Sequence, residues 1–168
     1  AMHDRLTRSD IAKMQEEIDY RKLVVRKEAL EAVKEARAQG DLSENFEYQA
    51  AKKDKNQNES RIRYLENMIK TAIIIEDHSK ADEVGLNKRV TVYFEDDDET
   101  EEYKIVTAVR GNSLKGLITA DSPLGAALMG HRKGDRVHVK ISDQAGYDVI
   151  VQAVESAGRE DSDPLRKF

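Results

Sequence analysis

The chain has 168 residues, 36% of them charged and 39% hydrophobic, a balance that suits long solvated helices and one or two small domains rather than one thick core. The absence of cysteine excludes disulfides and thiolate zinc sites, and His3, His78, His131 and His138 lack a helical metal-ligand spacing. The net charge of −5 excludes a duplex-wrapping protein, and no apolar run approaches the ~20 residues that cross a bilayer, so a cytoplasmic protein with no membrane partner is expected.

Between Arg5 and Gln39 there is no Gly or Pro, and none again from Asp41 to Val84, which leaves Gly40 as the breaker between two long helices. In the first, Ile11, Met14, Ile18, Val25, Ala29, Ala32 and Ala36 recur at nearly 3-4 spacing, with a polar gap at Arg21 and Lys22. In the second, Ala51, Ile62, Leu65, Ile69 and Ala72 keep that spacing, interrupted by Lys55 and Asn58. Seams this narrow suit a two-stranded antiparallel coiled coil with arms of about 45 Å. The alternative, a helical pair folded onto the rest of the chain, leaves the polar remainder of both helices without water.

After Asp77 the period changes to alternation, which predicts strands at 89–94, 103–109, 116–118, 136–141 and 148–154. Ser122, Pro123 and Gly130 frame one short helix as N-cap, first-turn proline and C-terminal glycine. The acidic stretch Glu95 to Glu102 reads as a charged hairpin loop, since it lacks the glycine and flanking helices of a calcium loop. The fold class is therefore α+β. A helical hairpin over 2–78 with its tip at 40–45 is followed by a small antiparallel β domain over 79–157 and a tail, 158–168, expected to lack structure.

Asp41 and Glu44 stand three residues apart at the tip, where two readings remain open. Asp41 as N-cap with Glu44 at N3 makes a capping box for the second helix. Alternatively, two carboxylates on a projecting tip supply oxygen ligands to a magnesium ion in another protein's site. Behind the tip, Lys34, Arg37, Lys52, Lys53 and Lys55 form either a solvated charged face or a small basic patch roughly 10–15 Å back, able to guide a single RNA strand.

The run Gly40-Asp41-Leu42-Ser43-Glu44-Asn45, with Glu47-Tyr48 and Ala50-Ala51-Lys52, resembles the tip signature of the Gre family of transcript cleavage factors, in its GreA type. Leu6-Thr7, Glu35-Ala36-Arg37, Glu59, Arg61-Ile62, Ser122-Pro123-Leu124-Gly125 and Ala127-Leu128 match in order, so the resemblance spans about residues 5 to 156. It implies a monomeric, non-enzymatic factor whose coiled coil enters the secondary channel of bacterial RNA polymerase while an FKBP-like domain docks on the rim. Backtracked RNA is then cut at its 3′ end region by the polymerase's own metal site. By position, Asp41 and Glu44 assist the catalytic Mg2+ and its water, and Ser43 and Asn45 support the tip. Arg37 and Lys52 meet the RNA, and Asp121, Ser122 and Pro123 dock on the polymerase. The resemblance implies no cofactor bound to the chain alone, only the polymerase's Mg2+, and no small-molecule substrate. Phe46, where the family commonly has a small residue, and the lack of a proline at Lys27-Glu28 depart from the pattern. An inhibitor of polymerase using the same channel is the alternative function. Prolyl isomerase activity is a further one, for which the domain offers only Tyr93, Phe94, Tyr103 and Tyr147 as aromatic lining, and none is expected.

Overall fold

A computed structural model of the chain describes residues 4–40, 45–157 and 163–167. It has two compact units, one holding residues 11–72 and the other residues 5–10 with 73–167.

The helical unit is built from α1 (Arg8–Tyr20), a π-helical turn (Arg21–Val25), α2 (Arg26–Ala38) and α3 (Phe46–Thr71). Its buried seam contains Met14, Ile18, Ala36, Ile62 and Leu65, as the 3-4 spacing predicts. The polar gap at Arg21 coincides with the π turn, beyond which Ala29 and Ala36 keep their expected places in the seam. Between them Val33 is half-buried while Ala32 is exposed.

Asn58, which interrupts the apolar pattern of α3, is itself buried and gives the turn its partner. Its side chain donates to the Arg21 carbonyl at 3.3 Å and accepts from Arg21 Nη1 at 3.0 Å. Glu17 then receives both Arg21 Nε and Arg61 Nε at 2.7 Å, and Arg26 pairs bidentately with Glu59 at 2.8 and 2.9 Å. Burial alone would raise the Glu17 pKa, but hydrogen bonds and charge from Arg61 and Arg21 outweigh it and hold the carboxyl below its usual range. The polar residues that narrow the seam thus form a cross-arm network that specifies how the two arms align.

The second unit carries a five-stranded sheet in the order β5-β4-β3-β7-β6, where β3 is Lys88–Phe94, β4 Glu99–Val106, β5 Leu117–Thr119, β6 Arg136–Lys140 and β7 Gly146–Ser156. Alternating residues of these strands, among them Val90, Val92, Val137, Val139, Val149 and Val151, fill one core with Val84, Leu86, Ile105 and Leu128. All five predicted strands form. The acidic stretch makes the β3–β4 hairpin, closed by Asp98 at φ 50° and by the Tyr93 hydroxyl on Asp98 at 2.6 Å. The sheet is mixed rather than antiparallel, because β5 runs parallel to β4. Two 3-10 turns, Ala108–Arg110 and Ser113–Lys115, lengthen the connection enough to bring the chain back beside β4 in the same direction.

A short parallel pair, β1 (Arg5–Leu6) with β2 (Ile73–Ile74), belongs to the same unit and escaped the sequence pattern because two-residue strands show no alternation. Thr7 and Asp10 follow β1 as a reciprocal capping box. Thr7 N donates to Asp10 Oδ2 at 3.0 Å, and Asp10 N to Thr7 Oγ1 at 3.2 Å. Asp10 also pairs with Arg110, both side chains fully buried. The stretch 163–167, expected to be part of an unstructured tail, is held by Lys104 on Asp163 at 2.6 Å, by Arg110 on the Asp163 carbonyl, and by Arg166 N on the Val109 carbonyl.

Candidate functional site

The hairpin's end is formed by the last turn of α2 and the first of α3. Gln39 closes α2 with its N–H on the Ala36 carbonyl, and Gly40 follows at φ 131°, where a side chain would be strained. Four of the sequence-selected residues' neighbours and members, Asp41, Leu42, Ser43 and Glu44, lie outside the described residues. α3 begins after them: Asn45 is its N-cap, and Asn45 Oδ1 accepts from Tyr48 N at 3.0 Å. The capping-box reading of Asp41 and Glu44 is therefore corrected, since the helix starts at Phe46 and a different side chain caps it.

Asn45 does a second job. Its Nδ2 donates to the Ala36 carbonyl at 2.8 Å, as a second donor beside the Gln39 N–H that closes α2. One amide thus satisfies an orphan donor of one arm and bonds a last-turn carbonyl of the other, which fixes the two helix ends against each other.

Just behind this joint the structure brings Arg37 and Lys52 to a common residue, Tyr48. Arg37 Cζ lies 5.8 Å and Lys52 Nζ 5.4 Å from the Tyr48 ring centroid, both within reach of the ring's negative face. The Arg37 guanidinium bonded at the phenol is the largest cause that holds the Tyr48 pKa below the usual tyrosine value, and Lys52 and Lys55 add to it. Lys34 and Lys53 are exposed. Phe46, the first residue of α3, is 87% exposed. The sequence quoted Tyr48 within a motif without giving it a role. The signal was its i,i+4 spacing to Lys52, which puts the ring and the ammonium on one face of α3.

Asp121, Ser122 and Pro123 belong to the sheet unit, at the start of α4 (Pro123–Leu128). Ser122 Oγ accepts from Gly125 N at 3.1 Å and donates to the Thr119 carbonyl at 2.7 Å, the predicted N-cap arrangement. Gly125 lets α4 approach β5 closely, since a Cβ there would fall 2.0 Å from the Thr119 carbonyl oxygen. Asp121 and Pro123 stay exposed at this corner. Among the described residues no group of three or more His, Asp or Glu is placed to hold a metal ion, and no helix is long and apolar enough to cross a membrane.

The chain thus joins in sequence a charged helical hairpin with a polar, cation-flanked end and a mixed-sheet unit. Residues 5–74 match the family model for the transcription elongation factor N-terminal domain, and residues 78–156 the model for the GreA/GreB C-terminal domain. The chain belongs to the GreA/GreB family of transcription elongation factors. It is 46% identical over 150 residues to the transcription elongation factor GreA of Geobacillus kaustophilus, covering 89% of this chain and 93% of that one. It is 41% identical over 147 residues to the GreA of Thermotoga maritima, covering 87% and 94%. Among solved structures, the GreA factor homolog 1 protein of Thermus thermophilus is 24% identical, with a TM-score of 0.42 over 92% of this chain and 99% of that one.

Proposed function

We propose that this elongation factor stimulates the cleavage of backtracked RNA by bacterial RNA polymerase, with the hairpin end inserted through the secondary channel and the sheet unit docked at its rim through Asp121, Ser122 and Pro123. The observation that carries this reading is the use of Asn45, rather than Asp41 or Glu44, to begin α3 and tie it to α2. The N-cap of α3 is therefore neither Asp41 nor Glu44, which leaves both carboxylates available for another use. Two carboxylates are hard oxygen donors that fit Mg2+, yet they are too few to fill its shell, so the ion belongs to the polymerase and the tip completes its site. When bound there, the ion activates the attacking water and stabilises charge developing on the phosphate. Asp41 and Glu44 hold that water and that ion in place, Ser43 and Asn45 support the tip, and Arg37 and Lys52 hold the RNA 3′ end segment.

The chain is on this reading an accessory protein that acts as a cytoplasmic monomer, and purified protein with Mg2+ leaves naked RNA intact. The test is to add it to a stalled, backtracked elongation complex carrying labelled RNA. Shortened transcripts that re-extend on addition of nucleotides are expected. Binding that slows the polymerase and releases no RNA fragment overturns the reading in favour of an inhibitor.

A further inference from the structure

We propose that Tyr48 is a positioning residue whose ring gathers Arg37 and Lys52, one cation from each arm, into a paired site for the phosphate backbone of the RNA 3′ segment. The proposal rests on the reading above and deepens it, because it names what arranges the two cations. Arg37 and Lys52 are exposed, long and flexible, and as like charges they repel, so nothing in their own chemistry brings them together. The ring supplies the missing attraction, with the guanidinium at 5.8 Å and the ammonium at 5.4 Å from one centroid.

The placement follows from the backbone. Lys52 is four residues after Tyr48, and therefore one turn further along the same face of α3. Arg37 reaches the ring from the last turn of α2, whose end Asn45 fixes against the start of α3. Lys53, one residue on from Lys52, is rotated about 100° around the helix, away from the ring. A cation pair arranged before the strand arrives loses less side-chain freedom on binding than two independent lysine-like groups would. Lys52 keeps open hydrogen-bonding capacity, since an aromatic face accepts no full hydrogen bond, and the guanidinium, which also meets the phenol oxygen, has further N–H groups to offer. The low pKa direction of the phenol, caused first by Arg37, agrees with this crowding of positive charge.

The experiment compares the parent, Tyr48→Phe, Tyr48→Leu, Arg37→Ala and the Tyr48→Leu/Arg37→Ala double variant in two assays. One is an NMR titration of the full chain with a short single-stranded RNA at two salt concentrations; the other is cleavage in the backtracked complex. Tyr48→Leu is expected to weaken the RNA roughly two- to five-fold, while Tyr48→Phe, which keeps the ring and loses only the phenol oxygen, is expected to lose less. Arg37→Ala added to Tyr48→Leu is expected to cost less than it does in the parent, because the two act as a unit. In cleavage, Tyr48→Leu lowers the rate at saturating factor and leaves the half-saturating concentration unchanged.

Tyr48→Leu binding RNA like the parent, Tyr48→Phe losing as much as Tyr48→Leu, or effects that simply multiply would each overturn the proposal. A parent that binds RNA in this pattern without stimulating cleavage supports the site and sinks the functional reading. A parent that cleaves with Tyr48→Leu unimpaired in both assays does the reverse.

Discussion

Replacing Asn45 separates the two jobs of one side chain at the hairpin's end. Asn45→Ala removes the cap on Tyr48 N, which such caps value at about 1 kcal/mol, and the 2.8 Å bond to the Ala36 carbonyl, worth about another 1 kcal/mol as a neutral hydrogen bond. Asn45→Asp keeps an acceptor for Tyr48 N and adds a charge favourable at a helix N-terminus, but it has no donor for Ala36 and sets a carboxylate against that carbonyl. The expected order of stability is therefore parent, Asn45→Asp, Asn45→Ala, with steps of about 1 kcal/mol each. For a unit of this size each step lowers the melting temperature by roughly 4–8 °C, readable as loss of helical circular dichroism. If Asn45→Asp melts with the parent, the cross-arm bond contributes nothing and this account of how the arms are joined is wrong. If Asn45→Ala melts with Asn45→Asp, the cap contributes nothing.

Three further outcomes follow from the packing. Glu17 has a folded-state pKa below its ordinary 4.5, so its contribution is present above pH 4.5 and is lost as pH falls through the lowered value; acid unfolding of the hairpin should lose part of its pH dependence in Glu17→Gln. Asn58→Leu extends the apolar seam but strips Arg21 of a buried partner, so it is expected to destabilise the hairpin by about 1–3 kcal/mol in urea denaturation despite added apolar surface; a gain in stability would show the network to be dispensable. Gly125→Ala drives a methyl group into the Thr119 carbonyl and should lower the melting temperature of the sheet unit more than Ser122→Ala, which forfeits about 1 kcal/mol of capping; the opposite order would mean that α4 moves freely on β5.

The two helices, their seam and the strands β3, β4, β6 and β7 were legible because each is long enough to show its period. The short helix at Ser122 was legible because serine, proline and glycine mark its ends. What the sequence hid were features set by a single residue or by distant partners. The π turn at Arg21 appeared only as a gap in the apolar pattern, since nothing local announces that Asn58, 37 residues on, will bond its carbonyl. The capping box was sought at Asp41 and Glu44, where the spacing suited it, while the helix began later, at an asparagine that also reaches the other arm. A true box stood at Thr7 and Asp10, where Asp in place of the usual Glu or Gln made it harder to see. The parallel direction of β5 depends on two 3-10 turns that have no periodic signature. At the site, Arg37 and Lys52 were found as charges, whereas the ring that gathers them was passed over as part of a motif.

The central claim is that Asp41 and Glu44 serve chemistry rather than the architecture of the hairpin, and the measurement that tests it most directly is the rate of RNA cleavage in a backtracked complex at saturating factor. Asn45 caps α3, so Asp41→Asn and Glu44→Gln should melt with the parent to within a few tenths of a kcal/mol. Both should still compete with the parent for polymerase. Each removes a charge that a magnesium ligand must supply, and the account predicts that cleavage falls at least tenfold in each variant, equivalent to about 1.4 kcal/mol of transition-state stabilisation. Cleavage at the parent rate by either variant, with binding and melting unchanged, would contradict it.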